Sequence, residues 1–236
     1  MIISHSRRFV FVHIHKTAGE SISTALLPFL GKGDLLLGTT AQGELANAWY
    51  EWRHGLQKHS AARRIRRYLG EGRWEEYRTF SFVRDPADRV RSLYFYFEKM
   101  LAERRRRSLK NALLWLPGTD FRDPCKWPGM QAYLETSSFS EFIRHPQFSP
   151  AIFGARRQSD ILCDGEGRML VDEVGKFETL GEDFARIAGR LGLEGASLGH
   201  RNASKNRGAA PLDPADRALL VEMYRDDYAL FGYPAE

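Results

Sequence analysis

Residues 9–30 read FVFVHIHKTAGESISTALLPFL. Phe9 to Ile14 is a short apolar run rich in Phe, Val and Ile, the signature of a strand buried on both faces. The apolar positions of ISTALLPFL fit a helix that ends near Pro28 and Gly31. Between them lies HKTAGES. A strand, a short loop and a helix together hold phosphate: N–H groups at the helix start point at the anion and the helix dipole favours it. Gly19 lets the main chain approach closely, Lys16 supplies a full positive charge, and Thr17 and Ser21 offer hydroxyls. The pattern GxxxxGK[ST] is absent and the lysine precedes the glycine, which disfavours an ordinary nucleoside triphosphatase. Taken alone, the loop fits a plain strand-to-helix turn equally well, with Lys16 solvated and Gly19 relieving strain.

A second stretch, FSFVRDPADRVRSLYFYF at 80–97, repeats the arrangement. Thr79 to Val83 reads as another buried strand, and Asp85-Pro86 as an N-cap followed by proline in the first turn. The helix carries Val90, Leu93, Tyr94, Phe97 and Leu101 on one face and closes in the basic run Arg104 to Arg107. Arg84 ends the strand and Ser92 follows eight residues on. Ligands of parallel α/β sheets bind at the carboxyl ends of strands, and an arginine there can take a phosphate bidentately. Arg89 joins that phosphate or is solvated, and Arg91 reads as a surface ion pair.

The two stretches together resemble the paired cofactor motifs of sulfotransferases that use 3′-phosphoadenosine 5′-phosphosulfate (PAPS), particularly the carbohydrate O-sulfotransferase branch. The resemblance implies a three-layer α/β fold, a parallel sheet flanked by helices and similar to P-loop kinases, as a single domain over 1–236. It implies that the loop Lys16, Thr17, Ala18, Gly19, Glu20 and Ser21 holds the 5′-phosphosulfate, and that Arg84 and Ser92 hold the 3′-phosphate. QSDIL at 158–162, VDEVGKFETLGEDF at 171–184 and YRDDYALFGY at 224–233 also look like family segments. His15 stands where proline is frequent and Glu20 where a small hydroxyl residue is frequent, so the Glu20 side chain is not carried over as a phosphate ligand. In the late polar loop headed by His200 and Asn202, Lys205 and Arg207 close over the 3′-phosphate or remain solvated.

The implied reaction is in-line sulfuryl transfer from PAPS to an acceptor hydroxyl, in which positioning and charge stabilisation dominate. Lys16 stabilises charge on the bridging and sulfonate oxygens, and no metal is required. A neutral hydroxyl needs a general base. His59 stands 25 residues before Arg84 and resembles the catalytic histidine of the uronyl 2-O-sulfotransferase group; otherwise it caps the following helix. His54 is the runner-up. His13 and His15 share one strand face, as a metal pair or as packed or phosphate-facing rings.

Composition bounds these readings. The chain has 236 residues, 43% hydrophobic and 28% charged, which excludes a disordered chain, a collagen-like repeat and a disulfide-stapled miniprotein. A net charge of +5 favours an anionic ligand without demanding nucleic acid. Cys125 and Cys163 form no metal or disulfide motif. No apolar run approaches the roughly 18 residues of a membrane span, and a soluble, cytoplasmic monomer or homodimer is expected. Other expected features are a helix with Leu45, Trp49 and Trp52 on one face, and a Ser60-capped helix over Ala61 to Leu69. An irregular loop is expected over 116–136, a short helix over Ser140 to Arg144, and a hairpin pairing Ile161 to Leu162 with Met169 to Glu173. Helices are expected over Gly181 to Leu191 and from Asp213-Pro214 to about Leu230. The acceptor bears a hydroxyl, a glycan being one candidate. The run Arg104 to Arg107 is a helix end or holds an acidic glycan; Trp115, Trp127 and Tyr133 stack on an acceptor or pack. Two rival functions remain: a P-loop-like nucleotide kinase and a non-catalytic polyanion-binding module.

Overall fold

The structure is a computed structural model that describes residues 1–110, 126–199 and 212–235; the side chains of 104–110 fall outside that description. Strands β1 (Ile2–Ser4) and β2 (Phe9–Val12) lead to helix α1 (Gly19–Leu26), strand β3 (Leu35–Leu36) and helices α2 (Ala41–His54), α3 (Ala62–Leu69) and α4 (Glu71–Glu76). Strand β4 (Arg78–Val83) and helix α5 (Pro86–Lys110) follow, then α6 (Pro128–Leu134), α7 (Phe139–Arg144) and α8 (Ser159–Leu162). Strand β5 (Glu173–Lys176) and helices α9 (Leu180–Arg190), α10 (Pro214–Met223) and α11 (Arg225–Phe231) complete the described elements. They form two compact units, one of Met1–Asp85 with Gln158–Pro211 and one of Pro86–Arg157 with Leu212–Glu236.

The first unit holds a five-stranded sheet of order β3-β1-β2-β4-β5. β2, β4 and β5 run parallel, as expected, but β1 is antiparallel to both β2 and β3, so the sheet is mixed. Only four residues separate Ser4 from Phe9, too few for the crossover that parallel neighbours require. The turn is tied by Asp34, whose carboxylate accepts from Ser4 Oγ at 2.7 Å and from the Ser6 N–H at 2.9 Å.

Side chains alternate along the strands. Phe9, Phe11, Phe80 and Phe82 pack on one face with Ile22 and Leu26 of α1 and Phe184, Ile187 and Ala188 of α9. Val10, Val12, Thr79, Ser81 and Val83 point the other way and are buried as well. Burial on both faces explains why the runs read as continuously apolar. The Ser81 hydroxyl is satisfied by donating to the Val12 carbonyl at 2.7 Å.

Two local expectations change in this unit. Ser60 does not cap α3: the N-cap is Ala61, and the Ser60 hydroxyl instead accepts from the Gln57 N–H at 2.8 Å. Ile161 and Leu162 end a short helix rather than pairing in a ladder, and only Cys163 bridges Met169 antiparallel. The Asp164 carboxylate holds that turn by accepting from the N–H groups of Glu166 and Arg168. Helix α2 forms as expected, and its Leu45, Trp49 and Trp52 are 75%, 51% and 79% exposed.

In the second unit, Val90, Leu93 and Phe97 of α5 pack with Met130, Phe142, Phe148, Leu220 and Tyr224. Arg89 is neither solvated nor free for phosphate here. It is buried, and its guanidinium donates to the carbonyls of Gly154, Ala155 and Arg156 at 3.0, 3.1 and 2.7 Å. Arg91 makes the expected surface pair, with Asp88 at 2.9 Å. Trp127 packs on Phe153 and Tyr133 on Tyr94, with ring centroids 4.7 and 4.9 Å apart. Asp213 caps α10 by accepting from the Ala215 N–H. The last helix breaks at Tyr224, which is buried with its hydroxyl donating to the Ala155 carbonyl at 2.6 Å. No described helix is long and apolar enough to cross a membrane.

Candidate active site

The register of the parallel strands sets the site. Val12 pairs with Ser81 and Val83 with Lys176. The loop after β2, Arg84 after β4 and Phe177 after β5 therefore leave the same carboxyl edge of three successive strands, spaced about 4.8 Å apart.

The loop after β2 is strained. Lys16 and Ala18 both hold left-handed backbone, with φ of 66° and 64°, at a cost of about 1–2 kcal/mol for each non-glycine residue. Three contacts hold it in place. The buried Thr17 sends its hydroxyl proton back to the Ile14 carbonyl at 3.1 Å, and the Ile22 N–H donates to the Ala18 carbonyl. Gly19 lies against the His13 ring, where a Cβ would stand 1.9 Å from Nε2. Thr17 thus shapes the loop. Ala18 is the N-cap of α1 and provides no side-chain cap, and the first-turn N–H groups of a helix have no partner within the helix itself. Ser21 is partly exposed in that turn, while Glu20 is exposed and ion-paired with Lys58.

Three imidazoles gather beside this loop. The His59 ring lies 4.5 Å from that of His13 and is stacked on that of His15 at 3.4 Å. His59 Nδ1 meets the His13 carbonyl oxygen at 2.9 Å. Since that oxygen only accepts, Nδ1 carries the proton and Nε2 presents its lone pair. Burial, then the neighbouring His15, holds the His59 pKa well below 6.5. Burial followed by His59 does the same to His13, which has no hydrogen-bond partner for Nδ1 among the described residues. His54 belongs to a different cluster, with Trp49, Tyr50 and Tyr68. Among the described residues no group of three His, Cys, Asp or Glu is placed to hold a metal ion.

At the end of β4, Arg84 is fixed from two sides. The buried Gln158 side chain accepts from the Arg84 N–H at 2.9 Å and donates to its carbonyl at 2.8 Å. The guanidinium lies over the Phe177 ring, 4.2 Å from its centroid. Ser92 lies on α5 in the second unit and is partly exposed. Lys205, Arg207, His200, Asn202, Trp115 and Cys125 lie outside the described residues, as do the side chains of Arg104 to Arg107.

Lys58, Gln158 and Phe177 are the site residues to which sequence reasoning assigned no role. Lys58 had a usable signal in its adjacency to His59. The other two lay inside segments noted for family likeness but had no motif of their own. Compared with known proteins, the chain matches the model of the sulfotransferase family over residues 1–234. No curated protein and no solved structure matches it.

Proposed function

The chain belongs to the sulfotransferase family, and we propose that it moves a sulfuryl group from PAPS to an acceptor hydroxyl, a carbohydrate hydroxyl being the favoured class. One observation carries this reading: the strained, uncapped loop Lys16–Ser21 and the clamped Arg84 leave one sheet edge from adjacent parallel strands. A nucleotide with phosphates at both ends needs two such anion sites. The parallel strands β2, β4 and β5 with the loop after β2 also support a likeness to P-loop kinases.

In this reading the N–H groups of the loop and the Lys16 ammonium hold the 5′-phosphosulfate, with Ser21 adding a hydroxyl. Each contact to a charged group contributes about 1.5–3 kcal/mol. Arg84, braced by Gln158 and Phe177, takes the 3′-phosphate. The acceptor oxygen attacks sulfur in line as the bond to the 5′-phosphate oxygen breaks, and Lys16 stabilises the charge that develops on that leaving oxygen. His59 Nε2 receives the acceptor proton. Burial makes its imidazolium costly in the free protein. The negative charge of the bound donor offsets that cost and raises the basicity of His59 when a base is needed.

Incubation with donor carrying labelled sulfate and a panel of sugar, alcohol and phenol acceptors tests the reading, with chelator present. Label should pass to at least one acceptor, and adenosine 3′,5′-bisphosphate should raise the melting temperature. No shift with the bisphosphate, alongside stabilisation by ATP with magnesium, would replace this reading by a kinase.

A further inference from the structure

Lys58 lies in neither anion-binding stretch, yet its position is elaborately built. Its N–H donates to Asn47 Oδ1 at 2.6 Å. Its aliphatic stem crosses Gly38, where a Cβ would stand 2.4 Å from Lys58 Cδ. Gly38 and Thr39 both hold left-handed backbone, with φ of 85° and 70°. Gly43 approaches so closely that a Cβ on it would lie 2.1 Å from the Gly38 oxygen. The ammonium ends on the Glu20 carboxylate, with Glu44 at 3.7 Å. The Lys58 side chain is 18% exposed, against 49% for Glu20.

Glu20 occupies the first turn of α1, the turn that the donor reading assigns to the phosphosulfate. A carboxylate is welcome at an empty helix N-terminus. Beside an incoming anion the same carboxylate repels. An exposed ion pair by itself adds little to stability, so stability alone gives no reason for a backbone arch with a left-handed Thr39 under the lysine stem. We propose that Lys58 is a positioning residue of the donor loop: by neutralising Glu20 it keeps the loop's field positive and admits the phosphosulfate. It also explains why a glutamate is tolerated in the phosphate loop. The segment 58–59 then supplies two things at once, the loop's counter-charge and the imidazole. The inference rests on the donor reading.

The test is calorimetric binding of adenosine 3′,5′-bisphosphate, together with donor KM and kcat. Lys58→Met keeps the stem on Gly38 and removes the charge. It should weaken binding at least about tenfold and raise donor KM alike, with kcat within about threefold. Glu20→Gln should bind as tightly as the wild type or more tightly. The double variant should return to within about threefold of wild type. Wild-type affinity in Lys58→Met, or a double variant as weak as Lys58→Met, overturns the inference and leaves the donor reading standing. A wild-type protein that ignores the bisphosphate takes both down.

Discussion

His59 donates from Nδ1 to the main-chain carbonyl of His13, 2.9 Å away and 46 residues earlier. That bond fixes the tautomer and ties the proposed base to the residue whose ring supports Gly19. Replacing His59 by alanine should lower turnover at least about 100-fold with bisphosphate binding retained. Turnover within a few-fold of wild type removes the base assignment.

The same histidines make stability depend on pH. Both are held neutral, with pKa values well below 6.5. Below 6.5 the unfolded chain therefore takes up protons that the folded chain refuses, and stability falls with falling pH. Above about 7 neither state binds these protons and the contribution is flat. Melting temperatures at pH 7.5, 6.5 and 5.5 should show this, with a shallower fall in His13→Asn. Equal slopes in the variant and the wild type would assign the acid sensitivity elsewhere.

Gly19→Ala places a methyl 1.9 Å from His13 Nε2. Overpacking of this kind costs about 1–3 kcal/mol, and the displaced loop should lose bisphosphate affinity. His13→Ala makes room for the methyl, so the double variant should be less destabilised than the sum of the single variants. Strict additivity in denaturant titrations sinks this account.

Lys16 combines a charge with a left-handed backbone, φ 66°. Lys16→Ala and Lys16→Gly should each lower turnover at least about 100-fold. Because glycine accepts that φ without steric cost, Lys16→Gly should be the more stable by about 1 kcal/mol. Wild-type turnover in a folded Lys16→Ala protein removes Lys16 from catalysis.

Arg89 holds three carbonyls with no exposure to speak of. Arg89→Met should destabilise by about 3–5 kcal/mol, since the carbonyls lose their donors inside the fold. Arg89→Lys should rescue little, because an ammonium cannot match the planar fork. Chemical denaturation decides it; a loss under about 1 kcal/mol contradicts the structural role.

The buried strands β2 and β4, the turn from β2 into α1 and the arginine at the end of β4 were legible because each is written in contiguous residues. Hydrophobic runs bury whichever way the chain turns, and a loop of lysine, glycine and serine between strand and helix keeps its local geometry. One local signal misled because another local bond prevailed: Ser60 looks like a cap until the Gln57 N–H, three residues earlier, donates to its hydroxyl.

Pattern alone thus read β2 and β4 as buried strands and carried the family resemblance. Tertiary structure decided the partnerships: Lys58 with Glu20, His59 with His13, Gln158 with Arg84, and Arg89 with the carbonyls of 154–156. It also turned β1 antiparallel. The physical reason is that periodicity records whether a side chain leaves water. The partner a buried polar group finds depends on chain segments dozens of residues away being brought within hydrogen-bonding distance.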